Sequence, residues 1–504
     1  MTRSAEEIGR GLAAARDARP IPPGERIHVV GAAGAGASAA LLLAARAGAQ
    51  ASGCDPGAPS PYTAAAEAGG LVVVPAHDPA HVVREGRPLV DRLAVTKALT
   101  AVAPDHPELV AARELGIPTE PWQQVVADVA AGRGARLVGV TGTHGKSTSA
   151  GWLLHVLVAA GRDPSGSLGA LLPRATLGGA PATARWGGGP DFVVEADEYA
   201  GNFDPFRPAV AALLDAEWDH PDVFADEAAV LAVFEGWIRA MQVGADGAEP
   251  VLVANVGDAG AAVIAGRLRD WAGRVVTVRL EGGHAAPAAS VVGRLKTAAG
   301  GRDHLRVTGL SGGPLEATLA LPGRHNAANA LVVAATADVL GVPVGAIAEG
   351  LATFPGVGRR LELKGEARGV VVIDDYGHHP TAIAASIAAL RGHYPGRRLW
   401  AVYEPLTYHR TAAMMEAFAA ALAAADRVAI ADIWAGRDPD TSIASAGELA
   451  HATTALGTPA IAPGTVEATA DRLAREVREG DVVLVMGGGR SYVIAERLMA
   501  LLGG

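Results

Sequence analysis

The sequence predicts an α/β protein whose parallel sheets are covered by helices on both faces. Three times an apolar run passes through a glycine turn into an Ala/Leu-rich helical pattern: at 27–55, at 137–154, and from 369–405 on to 481–503. Runs that are apolar on both faces belong to buried parallel strands rather than half-exposed antiparallel ones. The chain is 504 residues long, more than one core usually organises, so two to four domains are expected. The glycine-rich polar stretches GRGAR (132–136) and FPGVGRR (354–360) mark the seams.

Composition narrows the function classes. Half the residues are hydrophobic and 19% are charged, which suits a folded chain. A net charge of -10 disfavours a nucleic-acid partner, which needs a basic face, while leaving room for anionic small ligands at loops and helix N-termini. No window approaches the roughly 18 apolar residues of a membrane span, and the first residues lack the apolar core of a secretory signal. One cysteine, Cys54, excludes an intramolecular disulfide. A cytoplasmic protein without nucleic-acid or membrane partners is the expectation.

Taken in order, the first strand–turn–helix carries Gly31, Gly34 and Gly36, spaced G-x-x-G-x-G. A dinucleotide loop reads G-x-G-x-x-G, so nicotinamide binding is disfavoured, although Asp55 at the end of the next strand could meet a ribose hydroxyl. The second, LVGVTGTHGKSTSAGWLL, looks like a phosphate loop with displaced spacing. The general loop needs glycine at 140, where this chain has Val140, and Gly142 gives the tighter turn G-T-H-G-K-S. Amides from Gly142 to Ser147 can form an anion nest at the start of a helix. Lys146 can reach phosphate oxygens, and the Ser147 hydroxyl can bind Mg²⁺. Of 43 basic residues only four are lysine (Lys97, Lys146, Lys296, Lys364), so a lysine at this spot is unlikely to be incidental. An ordinary glycine turn is the bland alternative.

Beyond the loop, period-two alternation in DFVVEADEYAGNF (191–203) places Glu195 and Asp197 on one strand face. A second strand, AVAALLDAEWDHPDVF (209–224), ends in Asp215, Glu217, Asp219 and His220. Acids at carboxyl ends of parallel strands sit where such sheets bind ligands, though any one can be a solvated loop residue. Between about 240 and 320, glycine and proline interrupt short β-like pieces such as RVVTVRL. Asn326 and Asn329 head an apolar helix, where on their own they read as N-capping residues. VIDDYGHHPTAI (372–383) gathers two acids, a tyrosine and two histidines at a strand end, either a capped turn or a site for a hard cation.

These pieces together resemble the Mur ligases, ATP-dependent enzymes that build the peptidoglycan stem peptide. The resemblance runs along nearly the whole chain through VGAAGAGAS, TGTHGKST, EADE, WDHPD, PGRHNAANA, GVGRRLELKGE, IDDYGHHPT and YHRT. It implies three domains. A Rossmann-like unit over 1–132 would bind a UDP substrate, and a parallel-sheet mononucleotide-binding unit over 133–355 would bind ATP. A Rossmann-like unit over 356–504 would close on both. It implies ATP with Mg²⁺, and L-alanine joined to the carboxylate of UDP-N-acetylmuramate through an acyl phosphate, by a monomer or weak homodimer.

The same resemblance implies residue roles. Gly142, Thr143, His144, Gly145, Lys146, Ser147 and Thr148 would hold the ATP phosphates, with Ser147, Glu195 and His220 around magnesium. Asn326 and Asn329 would face adenine, and Arg360 and Asp375 would meet ATP from the hinge and third domain. Tyr376, His378 and Arg410 would lie by the amino acid. Gly34, Ala35 and Gly36 would approach the UDP diphosphate, with Asp55 and His77 at its uridine end. The chain departs from the family pattern at Glu404, His409 and Arg490, all in the domain that chooses the amine. Alternatives that remain are a homologue with another acceptor, such as the tripeptide of the recycling ligases, and a P-loop kinase or ATPase. The last explains the loop but not DDYGHHPT.

Overall fold

The computed structural model describes residues 2–244, 247–282, 288–298, 302–436, 438 and 440–503. Sheets of five, ten and six strands follow one another along the chain. The first is parallel throughout, with β1 (Arg26–Val30) between strands Gln50–Cys54 and Arg92–Val95. β1 turns through Gly31 into α1 (Ala35–Arg46), whose inner face is alanine and leucine. A Cβ on Gly36 would lie 2.3 Å from the Trp122 ring, so α1 can approach the Trp122–Gly132 helix only with glycine there.

In the second sheet β2 (Arg136–Thr141) is central, and α2 (Lys146–Ala159) follows it directly. β2 is flanked by β3 (Asp191–Glu195) and β4 (Val210–Leu213), both parallel to it. The chain reaches these neighbours on opposite sides of β2, which leaves a crevice at the carboxyl ends where the connections diverge. The RVVTVRL piece forms strand Arg274–Leu280, parallel to its neighbours. The sheet expected to be parallel nevertheless carries antiparallel strands at both edges, at Ala182–Arg185 and at Asp303–Thr308 with Leu315–Thr318. Asp303–Thr308 explains the difference, because its residues alternate buried and exposed, the pattern of a strand with one face in water.

α2 is buried along most of its length against α3 (Arg324–Val339) and the helix Val344–Thr353. Trp152 anchors this packing: its ring stacks on Phe354 at 5.3 Å and its indole N–H donates to the Gly350 carbonyl at 3.2 Å. In the third sheet β5 (Val370–Asp375), which feeds α4 (Pro380–His393), lies beside β7 (Val482–Gly487). β7 lies in turn beside β6 (Leu399–Glu404), which feeds α5 (Tyr408–Ala413). Among the described residues of this sheet only the edge strand Glu362–Ala367 is antiparallel. Among the described residues no helix is long and apolar enough to cross a membrane.

Candidate active site

The carboxyl ends of β1, β2 and β5 face one cleft of about 680 Å³, lined from all three sheets. Its floor is the turn between β2 and α2. Gly145 takes φ +76°, and a Cβ there would come within 2.8 Å of Asn329 Oδ1, so both the conformation and the neighbour demand glycine. Thr143 and His144 are tied to the chain after β4. Thr143 Oγ1 donates to the Glu217 carbonyl at 2.9 Å, and the His144 amide donates to Asp215 Oδ1 at 2.8 Å. Lys146 folds back over its own loop. Its Nζ donates to the Gly142 carbonyl at 2.6 Å and to Glu198 Oε2 at 2.8 Å, with Asp197 Oδ1 at 3.8 Å.

The electrostatics of this pair pull in opposite directions. Burial opposes the Lys146 charge, but Glu198, Asp197 and Glu195 outweigh it and hold the ammonium above the usual lysine range. Burial pushes the Glu198 carboxyl up to about 7 against the pull of Lys146. Lys146, ringed by three carboxylates, keeps its proton, and Glu198 is the member that titrates.

Two oxygen-rich clusters flank the lysine. Ser147 Oγ donates to Glu195 Oε1 at 3.0 Å, while Glu195 Oε2 accepts the Gly169 amide at 2.8 Å, so the carboxylate is fixed in direction. A hydroxyl beside a carboxylate is a donor set for a hard divalent cation. His220 does not join that pair. Its Nε2 lies 3.7 Å from Glu198 Oε1, and it groups with Asp197 and Glu198. Asp197 is not on the β3 face as alternation suggested, because β3 ends at Glu195 and Asp197 accepts the Asn202 amide at 2.8 Å beyond it. The turn after Glu195 is what aims Glu198 at the lysine.

Asn326 and Asn329 lie inside the helix rather than capping it, since α3 begins at Arg324 with Gly323 before it. Asn326 donates back to the Pro322 carbonyl at 2.8 Å, and both side chains line the cleft. The third sheet reaches over from the far side. Arg360 donates to Ser147 Oγ at 3.0 Å with its guanidinium 4.3 Å above the Tyr376 ring. Arg410, in α5, donates to Asp219 Oδ1 at 2.7 Å and to His220 Nδ1 at 3.1 Å. Asp219 sits well below the usual carboxylate range: burial opposes its charge, and Arg410 and His220 overcome it. Burial, with Arg410 beside it, holds His378 well below the usual imidazole value. It is therefore neutral at pH 7, with Nδ1–H donating to the Tyr376 carbonyl at 2.9 Å and Nε2 left as an acceptor. Asp375 accepts from Ser386 Oγ at 2.5 Å and from the Gly377 amide at 3.1 Å, which shapes the turn that presents Tyr376 and His378.

On the near side, Gly34, Ala35 and Gly36 line the cleft, whereas Asp55 and His77 do not. The Asp55 carboxylate accepts the amides of Ala33 at 3.1 Å and Gly57 at 2.7 Å, so it braces the loop. His77 turns toward the buried Glu108, Nδ1 to Oε2 3.2 Å. Sequence reasoning did not single out Glu198, Thr381 or Glu108. Thr381 Oγ1 donates to Glu217 Oε1 at 2.7 Å, a contact between third and second sheets that no local pattern encodes.

A lysine, a hydroxyl, buried carboxylates and two arginines around one crevice suit a polyphosphate with a divalent cation. Three family profiles match in the same order as the sheets. They are the Mur ligase family catalytic domain over residues 26–133, the Mur ligase middle domain over 140–337, and the Mur ligase glutamate ligase domain over 359–489. The chain belongs to the Mur ligase family.

This Mur ligase is 38% identical to the UDP-N-acetylmuramate–L-alanine ligase of Kineococcus radiotolerans, over 95% of this chain and 96% of that one. Its fold is similar to the UDP-N-acetylmuramate–alanine ligase of Thermotoga maritima, with TM-score 0.76, 24% identity, and 94% and 98% of the two chains covered. It is also similar to a murein peptide ligase of Psychrobacter arcticus, with TM-score 0.71, 22% identity, and 95% and 99% covered. As a Mur ligase it is an ATP-dependent, ADP-forming enzyme. Its departures from the family pattern lie away from the phosphate loop. Glu404 is buried at the end of β6, Arg490 pairs with Glu467 on the surface at 2.8 Å, and His409 Nδ1 lies 3.2 Å from Asp438.

Proposed function

We propose that this Mur ligase joins L-alanine to the carboxylate of UDP-N-acetylmuramate, an early step of peptidoglycan precursor synthesis in the cytoplasm. The observation that carries the substrate assignment is the 38% identity, across 95% of the chain, to a ligase of that name. The units 1–132, 133–355 and 356–504 hold the UDP substrate, ATP, and the closing amino-acid side of the cleft.

A carboxylate is a poor electrophile, so ATP first transfers its γ-phosphoryl group to it. The C–O–P bond forms, ADP leaves, and the acyl phosphate is open to attack by the amine. The tetrahedral adduct then expels phosphate. Amides of the 142–147 turn cradle the ATP phosphates, and Lys146 turns from Glu198 to the β- and γ-oxygens. Ser147 and Glu195 would hold a magnesium ion, with Asp197, Glu198 and His220 as a second flank, and such an ion would supply positive charge against the phosphates. Arg360 adds positive charge from the opposite wall, and Asn326 and Asn329 face the base. Neutral His378 offers its free Nε2 as a hydrogen-bond acceptor to the amino group of the incoming amino acid, while Tyr376 and Arg410 orient it. Gly34, Ala35 and Gly36 approach the UDP diphosphate. The protein's share is positioning and charge stabilisation, and closure of the third sheet keeps water from the acyl phosphate.

The test is phosphate release from ATP with UDP-N-acetylmuramate while the amine is varied. Release that depends on L-alanine supports the assignment. Release only with an L-alanyl-γ-D-glutamyl tripeptide would transfer the enzyme to the recycling reaction, and release indifferent to the UDP-sugar would refute both.

A further inference from the structure

Away from the cleft, the first sheet buries a cluster that the ligase reaction does not use. His28 in β1, Cys54 at the end of the next strand, His81 in the Pro79–His81 turn and Glu108 in the Pro107–Glu114 helix present one ligand atom each, all within 4.8 Å of one another. None of the four lines the 680 Å³ cleft. Glu108 is fully buried, with Oε1 2.6 Å from His81 Nδ1, 3.2 Å from Cys54 Sγ and 4.0 Å from His28 Nε2. We propose that these four side chains form a structural binding site for a zinc-class divalent cation.

Hydrogen bonding alone does not account for the cluster. His28 is 2% exposed, yet among the described residues its Nε2 has no hydrogen-bond partner, and it points at Glu108. The other ring nitrogen, Nδ1, lies 2.8 Å from Ser52 Oγ. With that hydroxyl accepting from Nδ1–H, Nε2 turns a lone pair inward, as an outer hydrogen bond orients a metal-ligating imidazole. An unpartnered buried nitrogen is costly, and a bond to a cation would remove that cost.

The donor chemistry selects the ion. Two imidazoles, a thiol and a carboxylate suit zinc, whereas magnesium prefers oxygens only. A tetrahedral zinc with bonds near 2.0–2.3 Å sets its donors about 3.5 Å apart, so these side chains need to move by roughly 1 Å. Burial and the neighbouring Glu108 push the Cys54 thiol well up, so the metal-free cysteine keeps its proton. Binding releases that proton, and thiolate plus carboxylate then balance the dication. Four protein donors leave no open position, which makes the site structural rather than catalytic. It would clip β1, its neighbouring strand, the turn and the helix together behind the UDP-binding side of the cleft.

The experiment uses the full-length protein, stripped with a chelator, dialysed, and titrated with Co²⁺ alone and then Zn²⁺. Because Cys54 is the only cysteine, a thiolate-to-cobalt charge-transfer band can come from this site alone. The expected result is such a band saturating at one equivalent of Co²⁺, displaced by Zn²⁺, with a higher Tm for the zinc form. In Cys54→Ser the band should vanish, and in His81→Asn the affinity should fall at least tenfold. Folded wild-type protein that binds Co²⁺ without the band, or binds none, overturns the proposal whether or not the variants fold.

Discussion

Lys146 is held by a short backbone contact to Gly142 and a buried carboxylate, so its charge is ready before any phosphate arrives. Replacing it with arginine keeps the charge but not the slim point donor that fits between phosphates. Lys146→Arg should lower turnover by about 10²–10³-fold while Tm stays within a few degrees, as steady-state kinetics and thermal unfolding would register. Glu404 makes a different prediction. Its Oε2 is buried without a hydrogen-bond partner among the described residues, and burial pushes the carboxyl up to about 7 from 4.5. Between those values the folded chain keeps a proton that the unfolded chain gives up, so stability falls as pH rises through that window and stays reduced above it. Glu404→Gln should therefore match wild type near pH 4 and exceed it by up to about 3 kcal/mol at pH 8 in denaturant titrations. At this scale the loop residues were legible, because glycine, lysine and serine act where they stand in the chain. Glu198 was not. Alternation assumes the strand continues past Glu195, and the turn there hands the lysine-facing role to a residue of the wrong parity.

Among the elements, the β2–turn–α2 unit is closely fitted to its neighbours, since α2 is covered by two helices and the turn before it abuts Asn329. Gly145→Ala should cost roughly 1–3 kcal/mol of stability from the positive φ and raise the KM for ATP by displacing Asn329, readable in one preparation by calorimetry and kinetics. The strand–turn–helix units of the three sheets were readable from apolar runs and glycine turns, whereas the antiparallel edge strands, such as Ala182–Arg185 and Asp303–Thr308, were not. On their own the asparagines read as caps because the sequence pattern does not mark that the helix already starts at Arg324, and only the likeness to a family gave them a ligand-facing role. Asp55 and His77, given a ligand-binding role by likeness, also have protein partners: loop amides for one, and for the other Glu108, which is 31 positions further along. A contact across such a separation leaves no mark on the sequence near either residue.

For the whole molecule, the first and second sheets share one apolar core, from Ile27 and Leu41 to Phe192 and Trp237, whereas the third sheet keeps cores of its own and meets the cleft through polar contacts such as Arg360–Ser147 and Thr381–Glu217. Arg410 and Asp219 are both nearly fully buried, and their pair links α5 to the loop after β4. Arg410→Met leaves a buried carboxylate unpaired and should cost about 3–5 kcal/mol, with the third sheet melting ahead of the other two in calorimetry. The convergence of the three sheets on one crevice was legible only through likeness to a family. The central claim is that this crevice spends ATP to activate a carboxylate, and isotope transfer tests it directly. With ¹⁸O in the carboxylate of UDP-N-acetylmuramate and L-alanine as acceptor, the released phosphate should carry one ¹⁸O atom, read by ³¹P NMR or mass spectrometry. Unlabelled phosphate, released while the amide still forms or without amide at all, would contradict the account.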